Sequence, residues 1–124
     1  MKNLLFISLI FITFKAHALE EIFYCSMIDN VGFEGDTNYK SQENYKLKEA
    51  VVTLDFRNQT ILSEGFGFSD ATCVFDYNVI TCMELGYLFT MNPDNYKFTL
   101  SHGFGYALGV KDDILISYGN CEKF

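Results

Sequence analysis

Hydrophobic and polar positions alternate along much of this chain. In residues 83–91 the odd-numbered positions are apolar and the even-numbered ones, apart from Leu88, are not. The turn-forming sequence of residues 92–95 follows, and apolar side chains then occupy the even positions of residues 96–100. A period of two is typical of a half-buried β-strand, and Pro and Asn favour turns. The pattern predicts a β-hairpin.

Three other segments alternate in the same way and predict further strands. Residues 29–50 are polar and predict a long connection, with one helical turn between Glu43 and Glu49. No long stretch has a helical period, so about eight short strands predict an all-β fold, either a small antiparallel barrel or a sandwich. The apolar positions expected to alternate in these three segments are Phe23, Cys25, Met27, Val52, Leu54, Phe56, Ile114, Ile116 and Tyr118.

The cysteines predict two disulfides. Residues 73–82 are symmetric about the Tyr77-Asn78 bond, and a turn at that bond places Cys73 opposite Cys82 on one face of a hairpin. Side chains at such a cross-strand position are close enough to form a disulfide. Cys25 and Cys121 then pair by elimination, which ties the first strand to the last. Four cysteines with no metal-ligand spacing favour disulfides in a small exported domain.

The N-terminal residues predict export. A basic start is followed by an apolar run of about 11 residues, too short to span a bilayer, and then by Ala16-His17-Ala18. This tripartite pattern predicts a signal peptide over residues 1–18, and an uncleaved amphipathic anchor is the alternative. The exported domain is then residues 19–124, in the periplasm or outside the cell, with no further stretch that could span a membrane.

The charge of the chain excludes one class of partner. Sixteen Asp and Glu stand against nine Lys and Arg, a net charge of −7. Removal of Lys2 and Lys15 with the signal peptide leaves seven basic residues against sixteen acidic ones, or −9. A nucleic-acid-binding protein normally has a basic surface, so we expect no nucleic-acid partner. An acidic surface suits a basic partner, although it also serves solubility.

A seven-residue sequence occurs twice. Residues 62–68 and 100–106 are identical at five of seven positions, which indicates either a duplicated strand–turn–strand unit or chance. Continued alternation through both copies would separate aromatic side chains from glycines. The glycine face is then either a contact surface for a partner or a sharply bent barrel strand, and we favour the bend. The residues concerned are Gly65, Phe66, Gly67, Phe68, Gly103, Phe104, Gly105 and Tyr106.

The same alternation places Glu64 and His102 on the apolar side at equivalent positions. If both lie inside, they are a candidate polar pair with a pH-responsive or proton-transfer role. A bulge at a neighbouring glycine would instead turn either residue to solvent. The rest of the chain has no catalytic motif, no phosphate-binding loop and no metal-ligand cluster, so we expect no catalytic residue, no cofactor and no metal.

The overall layout resembles small exported bacterial β-proteins of unknown function. The resemblance rests on the signal peptide, the early Cys25, the aromatic alternating strands and the ending of residues 116–121. In size and disulfide content the chain is also broadly similar to periplasmic lysozyme inhibitors, which are small β-barrels. The inhibitory-loop motif of that family is absent, so no functional residue is carried over.

Three function classes follow from these observations. The first is a non-enzymatic exported binding or accessory protein, including an inhibitor of a basic envelope hydrolase. The second is a carrier whose aromatic-lined barrel cavity holds a small apolar ligand. The third is an enzyme, and the catalytic inventory makes it the least favoured. The sequence predicts the first class without identifying the partner.

Overall fold

The computed structural model describes residues 20–43 and 45–124. The predicted signal peptide lies outside these residues, and its cleavage stays a prediction. Within the described residues the chain is almost entirely β-structure, with a single short α-helix, α1, at Phe104–Ala107. The strands are β1 (Glu20–Glu34), β2 (Lys40–Gln42), β3 (Glu49–Asp55), β4 (Thr60–Ser63), β5 (Phe68–Asp76), β6 (Val79–Glu84), β7 (Tyr87–Met91), β8 (Lys97–His102) and β9 (Ile114–Lys123).

The strands form a closed antiparallel barrel, which confirms the first of the two predicted architectures. Each strand from β3 to β9 pairs with its neighbour in sequence, and β1 pairs with both β3 and β9. Closure removes the exposed sheet edges of these eight strands. The short β2 stays outside the barrel and pairs only with Gly32–Glu34 at the end of β1.

Both predicted disulfides are present and face the interior. Cys73 and Cys82 are cross-strand partners in the β5–β6 hairpin, whose turn at Tyr77-Asn78 has positive φ angles at both residues. Cys25 and Cys121 join β1 to β9 over a sequence separation of 96 residues. In the chain-entropy model a bridge over so long a loop contributes about 4–5 kcal/mol by restricting the unfolded chain. Two disulfides fit a protein of an oxidising compartment.

Aromatic side chains fill the barrel. The rings of Phe66, Phe89 and Phe98 lie in mutual contact at centroid distances of 5.4 to 6.3 Å. Such contacts add to the free energy gained by burying the rings. The largest fully buried side chains are Phe23, Phe66, Phe68, Phe89, Leu54, Ile61 and Met91.

The two ends of the barrel differ. At the end that carries Glu20 and Phe124, compact turns join β3 to β4, β5 to β6 and β7 to β8. The opposite end, which we call the loop end, carries the connections of residues 35–48, 64–67, 85–86 and 103–113. Both copies of the repeated sequence run from a strand into this end. The loop end is therefore where the chain departs most from plain β-structure.

The strand predicted over residues 83–91 and the connection predicted over residues 29–50 are both wrong. The stretch 83–91 is not one strand, because a turn at Leu85-Gly86, with positive φ at both residues, divides it into β6 and β7. The apolar and polar residues alternate through this turn in the sequence, but they do not form one continuous strand face in the structure. The Met83 side chain is exposed. The polar segment 29–50 is not one long connection either, because β1 extends to Glu34 and β2 follows. Residues 45–48 have no helical turn.

The last strand exists as predicted but faces the other way. Ser117, Gly119 and Cys121 are buried, whereas Ile116 and Tyr118 are exposed by 59% and 50%. A β-carbon at Gly119 would overlap the carbonyl oxygen of Ser26, so only glycine permits β9 and β1 to approach this closely. The disulfide requires Cys121 to face inward, and the period of two then fixes the inward face of the strand.

Candidate functional site

His102 lies at the loop end, where β8 stops. Its ring stacks on the Tyr87 ring of the paired strand, with centroids 4.0 Å apart. The Nε2 atom is 3.7 Å from Oδ2 of Asp112, and the His102 side chain is 11% exposed. His102 therefore stacks on one aromatic ring and lies near one carboxylate. The distance to that carboxylate is longer than a hydrogen bond.

The predicted pair of Glu64 and His102 does not form. Glu64 is exposed and begins a 3₁₀ turn, Glu64–Phe66, and no hydrogen bond or ion pair joins it to His102 within the described residues. In β4 the side chains of Ile61 and Ser63 face inward and Leu62 faces outward, so the alternation itself directs Glu64 to solvent, and the strand ends at Ser63. His102 meets Asp112 instead.

The repeated glycine–aromatic segments are not continuous strands, which corrects the prediction for both copies. Gly65 and Phe66 lie in the 3₁₀ turn, Gly67 follows it with φ +84°, and Phe68 begins β5. In the second copy Gly103 precedes α1, which contains Phe104, Gly105 and Tyr106. Gly67 therefore serves a turn, and Gly65 and Gly105 permit close contacts, whereas a β-carbon at Gly103 would meet only Cγ2 of Ile114 at 3.5 Å. A β-carbon at Gly105 would overlap the Asp112 side chain.

A small cavity lies beneath these loops. Its volume is about 50 Å³, and Asn30, His102 and Ser117 contribute polar groups to its lining. The Asn30 side chain is buried, its Nδ2 donates to the carbonyl oxygen of Lys46 at 3.1 Å, and its Oδ1 has no partner among the described residues. Liquid water occupies roughly 30 Å³ per molecule. The cavity has no room for an organic ligand.

Ser117 and His102 line this cavity and Asp112 lies next to His102, but the three side chains do not form a catalytic relay. The Ser117 hydroxyl donates to the carbonyl oxygen of Leu100 at 3.3 Å rather than to His102. The His102–Asp112 separation of 3.7 Å is too long for the hydrogen bond that orients a catalytic histidine. No group of three or more metal-ligating side chains occurs among residues 20–43 and 45–124. The polar cluster fits a structural role.

The two longest loops are fastened to each other. The Gly35 backbone N–H donates to Oδ1 of Asp113 at 2.9 Å, and the Tyr39 hydroxyl donates to the carbonyl oxygen of Val110 at 3.1 Å. The Tyr39 and Tyr106 rings pack edge to face, with centroids 4.7 Å apart. These contacts fix the backbone of residues 103–113 although most of its side chains point to solvent.

Those side chains belong to an extended apolar surface. The exposed residues Met83, Leu88 and Ile116 lie in one row across the outer wall. Met83 pairs with Leu88, Leu88 pairs with Ser101 of β8, and Ser101 pairs with Ile116. Phe104 continues the surface onto the loop end, where it packs against Gly86. We call the whole surface the apolar patch. Its members are Val31, Phe33, Met83, Leu85, Leu88, Phe104, Tyr106, Leu108, Val110 and Ile116, with exposures between 37% and 79%.

Carboxylates border the apolar patch. Glu84 accepts hydrogen bonds from the backbone N–H and the hydroxyl of Ser69, both at 2.7 Å, and these bonds lower the pKa of the Glu84 carboxyl. Lys111, Asp112 and Asp113 follow Val110 on the same loop. Three acidic side chains against one lysine give the patch a border of net acidic character.

The sequence did not predict this surface. The alternating pattern placed Phe104 and Tyr106 in a strand, and Leu85 among the apolar positions of residues 83–91. The available signal was the two-residue turn at Leu85-Gly86. A large apolar side chain beside glycine in a tight turn has no interior to enter, so it must be exposed.

Comparison of the chain with family models, with curated proteins and with solved structures found no match. Within the described residues, none of the helices is long and apolar enough to cross a membrane. The functional conclusion therefore rests on the geometry of this chain.

Proposed function

We propose that this chain is an exported, non-enzymatic binding protein, periplasmic or secreted, that uses the apolar patch to dock onto a basic protein. The patch carries the proposal. Monomeric soluble proteins rarely expose large contiguous apolar surfaces, and those that do generally use them for interaction. Ten large apolar side chains are exposed here on the loop-end halves of β1, β6, β7 and β9 and on the loops that join β6 to β7 and β8 to β9.

The acidic border supports a basic protein rather than a membrane as the partner. Glu84, Asp112 and Asp113 adjoin the apolar side chains, and the chain as a whole carries a net charge of −7. Anionic lipid headgroups would repel such a border. A protein with an apolar centre and surrounding Lys and Arg side chains would be attracted to it, and opposite charge accelerates its association. A basic envelope hydrolase is one member of this class.

The filled interior argues against the carrier alternative. Phe66, Phe89 and Phe98 occupy the centre of the barrel, and the cavity among the inward-facing side chains measures about 50 Å³. Pockets for organic ligands commonly have volumes of roughly 300–1,000 Å³. A ligand inside this barrel would have to displace core aromatic rings.

The experiment compares two double variants with the wild-type chain. Phe104→Ser with Leu108→Ser removes two exposed side chains from the apolar patch. Val74→Ser with Tyr77→Ser is the matched control, because these side chains are exposed by 63% and 90% on the β5–β6 hairpin, away from the loop end. Each protein is used to capture partners from envelope extract, and the captured protein is identified, purified and titrated against all three.

We expect wild type and control to bind one protein with an isoelectric point above neutrality. The patch variant should bind it at least about tenfold more weakly, since loss of the few anchor side chains at the centre of an interface costs about 2 kcal/mol or more. Raising the salt concentration should lower the association rate of wild type. Equal affinity for the patch variant, or an acidic partner, would overturn the proposal.

A further inference from the structure

A groove of about 460 Å³ crosses the outer wall of the barrel, away from the loop end. It runs over β7, β8 and β9, from Val79 at the start of β6 to Ile28 in the middle of β1. We call it the wall groove. Its floor is formed by Thr90 and Thr99, and its sides and rim include Ile28, Val79, Lys97 and Tyr118.

A β-bulge in β1 creates one side of this groove. The pairing of β1 with β9 shifts between Met27 and Asp29, so that Ile28 and Asp29 are both exposed although they are consecutive. Without the bulge one of the two would face the interior. Bulges re-aim side chains and are frequent beside binding sites. Here the bulge directs a large apolar side chain outward beside Tyr118.

Differences in side-chain size make the wall concave. The outer surface of a small barrel is normally convex, but Thr90 and Thr99 are cross-strand partners and form a low floor. Thr99 also pairs with Tyr118, whose larger side chain rises next to it. A volume of about 460 Å³ lies within the range of about 300–1,000 Å³ found for small-molecule sites.

The lining of the wall groove carries one cation, and one carboxylate lies beside the groove. Lys97 is the charged side chain in its lining, and Lys97 takes part in neither of the salt bridges among the described residues. The neighbouring carboxylate of Asp29 accepts a hydrogen bond from the backbone N–H of Asn30. An unpaired cation at the rim of an apolar groove favours a ligand with one negative charge.

We propose that the wall groove binds an amphiphile with an apolar tail and a single carboxylate, such as a medium-chain fatty acid. The tail lies along Ile28, Val79 and Tyr118, and the carboxylate meets Lys97. The hydroxyls of Thr90 and Thr99 on the floor can donate or accept hydrogen bonds. This site is separate from the apolar patch.

The test uses decanoate and 1-decanol, which share a tail and differ in charge. Titration of the full chain is followed by amide NMR, which locates the perturbed residues and gives the Kd. We expect saturable shifts around the wall groove with decanoate and at least several-fold weaker binding of decanol. Perturbations centred on the apolar patch, equal affinity for both ligands, or no binding at millimolar decanoate would overturn the proposal.

Two variants and one control sharpen the result. Lys97→Gln should weaken decanoate binding by about three- to fivefold, the value of an exposed ion pair, and leave decanol unchanged. Thr99→Phe fills the floor with a residue that favours strands, so it should abolish binding of both ligands. Lys46→Gln removes an exposed cation elsewhere and should leave the Kd unaltered. Equal effects of Lys97→Gln and Lys46→Gln would contradict a specific role for Lys97.

Discussion

The two copies of the repeated sequence reach the same end of the barrel and use the same residues in opposite ways. Both leave a strand and coil into a short helical segment, a 3₁₀ turn at Glu64–Phe66 and α1 at Phe104–Ala107. In the first copy Phe66 is 2% exposed and closes the barrel beneath the loops. Its counterpart Phe104 is 48% exposed and belongs to the apolar patch. Identical local chemistry thus forms core in one place and surface in the other.

A difference in strand facing explains part of this contrast. Leu62 is 52% exposed, whereas its counterpart Leu100 is 6% exposed. The register shift between β4 and β5 leaves Asp70 of β5 unpaired, so β4 keeps its alternation, with Ile61 and Ser63 buried and Leu62 exposed. Because side chains alternate with a period of two, an offset of one residue exchanges the buried and exposed sets.

The length of the following loop explains the rest. After the first copy Gly67 alone separates the 3₁₀ turn from β5, so the chain must turn directly over the barrel end and Phe66 is directed inward. After the second copy residues 108–113 separate α1 from β9. This longer loop can carry α1 away from the interior. The repeated sequence therefore encodes a strand followed by a helical turn, and the length of the loop that follows decides whether the phenylalanine of that turn is buried.

The largest expected difference between the copies is at the paired phenylalanines. Phe66→Ala should lower the free energy of unfolding by about 3–5 kcal/mol, because it removes a fully buried ring and leaves a cavity. Phe104→Ala should lower it by less than about 1 kcal/mol, because half of that ring is already in water. Urea unfolding with both disulfides intact measures the two values. Similar losses would show that the copies are packed alike.

The second difference tests the offset in facing. Leu100→Ala should destabilise the protein by about 2–4 kcal/mol, since this side chain of β8 is buried inside the barrel. The matched change Leu62→Ala should cost less than about 1 kcal/mol, since its side chain lies on the outer wall. The same urea titrations provide the comparison. A larger loss for Leu62→Ala would reverse the assigned faces.

The smallest difference concerns the first glycine of each copy. A β-carbon at Gly65 would lie 2.6 Å from the β-carbon of Ala50, and that neighbour has no flexible atoms to move. Gly65→Ala should therefore cost about 1–3 kcal/mol through overpacking. At Gly103 the nearest atom is Cγ2 of Ile114 at 3.5 Å, so Gly103→Ala should stay within about 0.5 kcal/mol of wild type. Thermal unfolding checks both, and equal melting temperatures would refute the close contact at Gly65.

Local sequence symmetry was a reliable guide to part of the fold. The hairpin around Tyr77-Asn78 has the predicted register throughout, from Asp76 opposite Val79 to Cys73 opposite Cys82. Its register depends only on residues within one hairpin, and the turn fixes it. The turn over residues 92–95 and the inward faces of Phe23 and Val52 are also as predicted. In each case the pattern and the contact lie within a few residues of each other or on one plain strand.

The candidate sites were less predictable because they depend on distant contacts. His102 was correctly marked as a polar group near the interior, but its partner Asp112 sits across a loop whose path the sequence does not specify. The wall groove requires a bulge at Ile28, and the register shift appears only when β1 is aligned against β9. Neither feature produces a local motif.

The sequence by itself determined the all-β class, the cysteine pairing and the position of most strands, because periodicity, turn chemistry and cysteine geometry act over short distances. The three-dimensional packing settled which copy of the repeat closes the barrel and where apolar side chains gather on the outside. These outcomes depend on barrel closure, which fixes the register of β1 against β9 and limits the interior volume. Once Phe66 and its neighbours fill that volume, Phe104 is left on the surface.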